Sequence, residues 1–466
     1  MSIRSIGGLV VLALCAVASA AGAQRATPCS FSADHFSTDS TAVGQVVFAA
    51  GNVVLRCPAR GIVLRGDSAE RYPDHEYMIG HVIYDEPRFH VTSNYLNYFP
   101  LTEIVKAVGD VHARLPSGST LVGPIAEYRR IQLPARPRAQ MLAIARPTIS
   151  IVEKDSTGKK TDPTVVVANQ VYMDGDSLIY GGGQVVITRP EMSATADSAF
   201  IDDGHETMRL MRNPQLKGKK EKPFTLNGEL IDLFSKSHKL QRVISRANAV
   251  AVSDSMTLRS DTIDLRLKDD ALDHAYAWGK KGRARVITTS QNVLADSLDV
   301  IMPGQKVQLV RAVRDAFAQG KPDTTRFRVT PPDTTNWLRG DTIVAHFDSL
   351  PPTDTSKTPP IKQLVANGHA SSLYHIAPSD STEKRAAINY TNARTITVDF
   401  DQQRVATITA VDSVHGMFIE PKTDSTAAKR TKATNAAPKS TQPPAPAKTP
   451  AKPPAAAVVP PPPKRP

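Results

Sequence analysis

The 466-residue chain contains three cysteines, two tryptophans and only 6% aromatic residues, and after its first two dozen positions it has no long apolar run. Each scarcity excludes something. Few aromatics leave little material for the stacking platforms on which sugars and bases rest. Twelve histidines scattered without ligand spacing, beside so few cysteines, build no zinc or redox motif. A helix that crosses a bilayer needs about 20 apolar residues, and nothing beyond the leader supplies them. Helical periodicity is also missing, which predicts a nearly all-β mature protein.

The leader, Met1 to Ala23, reads as a secretory signal: Arg4 gives the positive start, Leu9 to Ala18 a short apolar core, and Ala21-Gly22-Ala23 a small-residue cleavage site before Gln24. Cys15 falls inside it, after Leu14 rather than the Gly or Ala of a lipoprotein signal. Cys29 and Cys57 remain. In an oxidising export compartment they can pair, closing a loop worth about 3.5 kcal/mol in the chain-entropy model, or they stay as two thiols.

The net charge of +12 is unevenly placed. From Pro421 the chain carries nine basic residues and one acid, Arg4 adds one charge, and the rest amounts to only +3. A near-neutral body has no reason to track a phosphate backbone, so nucleic acid is not an expected partner. Residues 421–466, rich in Pro, Ala and Lys without apolar periodicity, predict a disordered tail, either a tether or a cationic contact for phosphates.

What the chain does contain is one pattern written many times. In Leu258-Arg259-Ser260-Asp261-Thr262-Ile263-Asp264-Leu265 the alternating pairs Leu258/Ser260 and Ile263/Leu265 are out of phase by one residue. A side-chain period of two then requires a bulge or corner at Asp261-Thr262. Copies begin at Leu64, Val91, Leu121, Val166, Ala194, Leu226, Val293 and Leu338, at intervals of 27 to 45 residues. Such self-similarity marks a stacked, elongated architecture in which each unit buries its apolar face against its neighbours. Glycine pairs punctuate the same stretches: Gly51-Asn52, Gly80-His81, Gly109-Asp110, Gly279-Lys280 and Gly368-His369 read as turns of the hairpin kind, with strands of about five or six residues between turn and corner. The expected layout is a lead-in over 24–42, repeats over 43–420 in one body or in two to three tandem units (43–160, 161–310, 311–420), and the tail. Leu133–Arg138, Glu153–Asp162, Gly320–Asp333 and Leu350–Pro360 read as insertions.

No catalytic constellation stands out. The recurring acids Asp67, Asp197, Glu229, Asp261, Asp296 and Asp341 occur one per unit, whereas a catalytic pair needs two carboxylates at one place; Asn94, Asn169 and Pro124 at the same slot point to a corner role. His205-Glu206 lacks a second histidine and a helix. Gly181-Gly182-Gly183 reads as a flexible turn.

The repeated pattern, in LRGDSAERY from Leu64, ATADSAFIDD from Ala194, LRSDTIDLRL from Leu258 and LRGDTIVAHF from Leu338, resembles the OstA-like, or LptA-like, periplasmic family of lipopolysaccharide-transport proteins, a pattern shared with the periplasmic domain of LptD. The resemblance covers roughly Val43 to Phe418. It implies a V-shaped β-jellyroll, or β-taco, with an apolar interior for acyl chains. It further implies a non-enzymatic role in outer-membrane assembly, with no cofactor, in the periplasm, either free or associated with the outer membrane. The implied partners are lipopolysaccharide or a related lipid, inner- and outer-membrane transport components joined by strand addition, and head-to-tail copies. A twelve-carbon chain is held out of water by roughly 10 kcal/mol, so a continuous groove is a physical answer to lipid passage. The inward set is Leu64, Val91, Leu96, Leu121, Val166, Val171, Leu226, Ile231, Leu258, Ile263, Val293, Leu298, Leu338 and Ile343. The same residues equally make a dry core, as in any β protein. A carbohydrate-active β-solenoid enzyme and a purely structural envelope protein are the alternatives.

Overall fold

The computed structural model describes residues 29–421, apart from 43, 153–161, 220–222, 254–255, 270, 280–281, 289–290, 323, 326, 330–333, 349–358, 378–383 and 402–403. The predicted leader and all but the first residue of the predicted tail lie outside the described residues, as do most of the insertions at 153–162 and 350–360.

The described chain is all-β, thirty strands and two short 3-10 turns. It forms one antiparallel meander in which each crossing of the sheet pairs with the one before and the one after. The crossings are longer than the alternation suggests: Gly44–Cys57, Ile62–Arg71, Glu76–Glu86, Phe89–Phe99 and Ile104–Arg114 each run from one rim of the sheet to the other. Midway along each, the register shifts, between Ala50 and Val53, Arg65 and Ser68, Ile79 and Val82, Thr92 and Tyr95. The sheet is folded along that line into two facing arms. Reversals at Pro58–Arg60, Pro87-Arg88 and Pro116-Ser117 border the first arm, and those at Tyr72–His75, Pro100–Glu103 and 130–139 border the second.

The glycine pairs are therefore not hairpin turns. Gly51-Asn52, Gly80-His81, Gly109-Asp110 and Gly368-His369 lie inside strands, at the fold line, and Gly279 directly follows the strand Ala271–Trp278, with Lys280 outside the described residues. Gly181–Gly183 likewise belongs to the strand Leu178–Thr188. At Gly51-Asn52, Gly80-His81, Gly109-Asp110, Gly183-Gln184 and Gly368-His369 both residues are left-handed, as at Gly80 (φ 75°) and His81 (φ 39°), and Gly80 and His81 together face a single residue, Asn94, on the adjoining strand. That is a bulge, which bends a strand and increases its twist. The acid of one crossing sits over the glycine of the next. A Cβ at Gly183 would lie 2.6 Å from Asn169 Nδ2, and one at Gly80 would collide with the Asp67 carboxylate. The residue after the glycine then caps the acid: Asn52 Nδ2 donates to Asp34 Oδ2 at 2.8 Å and His81 Nδ1 lies 2.7 Å from Asp67 Oδ2. The recurring acids hold corners.

The inward faces of both arms merge into one apolar cluster that runs from Ala49 to Val398. Strand pairing passes without interruption through the positions expected to divide tandem units: Thr148–Ile151 pairs with both Thr120–Arg129 and Thr164–Val167, and Ser297–Ile301 pairs with Leu309–Gly320. Cys29 and Cys57 are joined, with S–S 2.07 Å, tying the first strand to the end of Gly44–Cys57. Among the described residues no helix is long and apolar enough to cross a membrane.

Candidate functional site: the interior between the arms

All fourteen inward residues named from the repeat belong to this one cluster. Thirteen of them, from Leu64 to Ile343, are no more than 2% exposed, and Val293 is partly buried against them. They come from both arms. Leu64, Val91, Leu121, Val166, Leu226, Leu258, Val293 and Leu338 precede the corner and lie on the first arm, while Leu96, Val171, Ile231, Ile263, Leu298 and Ile343 follow it on the second. Small residues stand between them along the fold line, among them Ala107, Ala126, Ala199, Ala249 and Ala366, where the arms converge and larger side chains have no room. Over most of its length the interior is packed side chain against side chain.

Open space occurs where the seam between the rims is not packed shut. At the C-terminal end a cavity of about 440 Å³ separates the arms, within the range of small-molecule sites. Ala318, Phe327 and Tyr374 contribute one wall and Leu364, Phe400 and Ile408 the other, with Lys321 and Arg404 at its margin. Burial pushes the Tyr374 phenol upward.

Near the N-terminal end the same seam is closed by a buried polar clasp. Arg60, on the first arm, donates to Tyr98 Oη at 2.8 Å and to the Pro100 carbonyl at 3.2 Å across the gap. Arg130, on the second arm, forms ion pairs with Glu86 and Glu103 and donates to the Arg60 carbonyl at 3.1 Å. Tyr128 donates to Glu86 at 2.7 Å and stacks on Phe89 with ring centroids 3.9 Å apart. Burial raises the Tyr84 and Tyr128 phenols, and the Glu86 carboxylate adds to the effect. Burial disfavours the Arg130 cation, yet Tyr84, Glu86 and Glu103 outweigh it and hold the guanidinium more firmly protonated than usual. Sequence reasoning missed the clasp and this cavity, because Arg60, Glu86, Glu103 and Arg130 sit on rims outside the repeated pattern and the cavity is assembled across the seam.

No cluster of three or more histidine, cysteine or acidic side chains among the described residues is arranged to hold a metal ion. His205 is paired with Asp202 at 2.8 Å in a tight turn. No protein-family model and no curated protein matches this chain. Among solved structures it is similar to LptH, the LptA homologous periplasmic component of the conserved lipopolysaccharide transport device from Pseudomonas aeruginosa. The two share 15% identity over 36% of this chain and 95% of that one, with a TM-score of 0.23.

Proposed function

We propose that this chain is a non-enzymatic periplasmic protein that binds an envelope lipid, lipopolysaccharide or a relative, between its two arms and carries it as a bridge in outer-membrane assembly. The observation that supports this reading most directly is the single apolar interior from Ala49 to Val398, with contributions from both arms and a cavity between them at the C-terminal end. Hydrocarbon entering such a space leaves water at about 0.8 kcal/mol per CH₂. Without a break in the apolar lining, it passes from coil to coil with no return to solvent. The sequence motifs that resemble the OstA-like family point the same way.

Partners join at the ends of the meander, where strands lack a neighbour on one side. The C-terminal edge is apolar: Val411, Met417, Phe418 and Ile419 are about half exposed on its last strands. The N-terminal edge strand, His35–Thr41, is exposed along its whole length and polar apart from Phe36. These two edges suit strand addition by transport components or by a second copy, head to tail.

One observation favours a rival. Side chains no more than 2% exposed are those of a filled core, and a purely structural envelope protein needs nothing else. Photocrosslinking in living cells separates the two. A benzophenone residue at Ile408, in the cleft, and at Ile263 or Leu298, in the interior, is expected to yield lipid adducts. Protein–protein adducts alone at all three sites would refute the conduit.

A further inference from the structure

A second cavity, of about 320 Å³, opens on the seam directly beside the clasp, between Leu115 and Pro116 of the first rim and Ile131 and Ala139 of the second. Its floor is apolar and continuous with the core. Phe89, Leu115 and Tyr128 are 4%, 8% and 8% exposed and belong to the same cluster as the rest of the interior. Its mouth carries two arginines, Arg88 and Arg138, and one acid, Asp176. Each guanidinium sits in a long, exposed ion pair, Arg88 to Asp176 at 4.0 Å and Arg138 to Asp174 at 3.5 Å, with arginine side chains 66% and 56% exposed. Ion pairs so placed are screened by water and contribute little, so either guanidinium can exchange its carboxylate for another anion. The loop behind them, Arg129 to Arg138, carries four arginines and no acid. Arg130 and Arg136 are committed to the clasp and to the backbone carbonyls of Thr102 and Arg130, which fixes the loop and presents Arg138 outward.

We infer that this cavity is a lateral binding site for an acyl amphiphile with a phosphate headgroup, its chain on Phe89, Leu115 and Tyr128 and its phosphate between Arg88 and Arg138. The inference rests on the reading that the interior accepts hydrocarbon, and adds where an anionic lipid enters or leaves from the side. Two guanidiniums at the rim of a hydrocarbon-lined opening match both halves of such a molecule. Guanidinium offers paired N–H donors to phosphate oxygens, and the floor offers burial to the chain. A neutral sugar would use neither cation, and inorganic phosphate would leave the floor in water.

The test uses the full chain with a benzophenone residue at Ile131, which is 42% exposed at the cavity edge, and tritiated dodecyl phosphate below its micelle concentration. Label is expected at Ile131, displaced by unlabelled dodecyl phosphate and not by inorganic phosphate. The double substitution Arg88→Gln/Arg138→Gln is expected to weaken dodecyl phosphate about tenfold while leaving dodecanol within about twofold. An unchanged far-UV spectrum and melting temperature would show that the fold survives. Label at a benzophenone on Ile408 without label at Ile131 overturns the lateral site and leaves the conduit standing; label at neither overturns both. Displacement by inorganic phosphate alone, or undiminished affinity in the double variant, also overturns the inference.

Discussion

The two ends of the meander share one corner pattern and one interior, and differ at their rims. Toward the N terminus the arms are joined across the seam by Arg60, Glu86, Glu103 and Arg130, with Phe89 stacked on Tyr128. Toward the C terminus they part around a cavity of about 440 Å³, and the final strands leave apolar side chains in water. The interior strip is a property of the repeat and is the same at both ends. Access to it belongs to the rims, where the repeat imposes no residue type. A buried network of charges is weak evidence for stability, since water must be stripped from every member, but it fixes one geometry. Here that geometry closes the seam at the clasp itself, while beside it the seam opens into the lateral cavity.

The sharpest way to break the contrast is to remove the clasp. Arg130→Ala leaves Glu86, whose side chain is 5% exposed, with its ion-pair partner gone, and is expected to cost about 3–5 kcal/mol. Arg311→Ala, on the exterior, removes a partner of Asp299 at 3.1 Å where the arginine is 47% exposed, and is expected to cost under about 1 kcal/mol. Because stacked coils unfold locally, hydrogen exchange is the measurement. Amides of Glu76–Glu86 and Phe89–Phe99 are expected to lose protection in Arg130→Ala while those of Ala387–Asp401 keep it. Uniform loss along the chain would mean that the clasp supports the whole ladder and not its own end.

A smaller effect tests the corners that both ends share. Gly80→Ala places a Cβ against the Asp67 carboxylate at a left-handed backbone position, and is expected to destabilise by about 1–2 kcal/mol from backbone strain alone, with the collision in addition. Asp67→Ala/Gly80→Ala should recover the collision part. Gly118→Ala, also left-handed (φ 88°) but with nothing within 4 Å, isolates the strain. Denaturant midpoints of the three variants decide the matter: if Gly80→Ala and Gly118→Ala cost the same, the acid over the glycine is not a constraint.

These corners explain what was legible and what was not. On acid-bearing strands the inward residues step by three across the corner, as from Ser260 to Ile263, so the alternation visibly slips. On glycine-bearing strands they step by four, as from Met78 to Val82. An even step preserves the alternation, so the bend leaves no trace except the glycine, and the pair reads as a reversal of chain direction. Where the left-handed pair lacks glycine, as at Ala247-Asn248 (φ 58° and 56°) and Arg314-Asp315 (φ 65° and 44°), even that trace is gone. The fourteen interior positions were legible because burial on a strand has a period. The clasp and the lateral cavity were not, since Arg60 and Arg130 meet across 70 residues of chain and only the stacking of coils brings their rims together.

Two buried carboxyls, Asp232 and Glu76, behave oppositely. Burial works to raise Asp232, but hydrogen bonds from Arg209 and Arg246 outweigh it and hold the group below the usual carboxylate range. Its stabilising contribution is present above the unfolded value of about 3.9 and is lost as pH falls through the lower folded value. Glu76 is raised by burial, against the opposing pull of Arg71 and His75, and its Oε2 has no hydrogen-bond partner. Its contribution has the reverse sign: fully present below the unfolded value of about 4.3, it is lost as pH rises through the folded value. Asp232→Asn is therefore expected to destabilise by about 2 kcal/mol at neutral pH, with the deficit closing in acid. Glu76→Gln is expected to stabilise by less than about 1 kcal/mol at neutral pH, with that gain likewise closing in acid. Denaturant midpoints between neutrality and strong acid read both curves. If the gain from Glu76→Gln persisted at low pH, the effect would come from packing and not from the charge that folding buries beside Arg71.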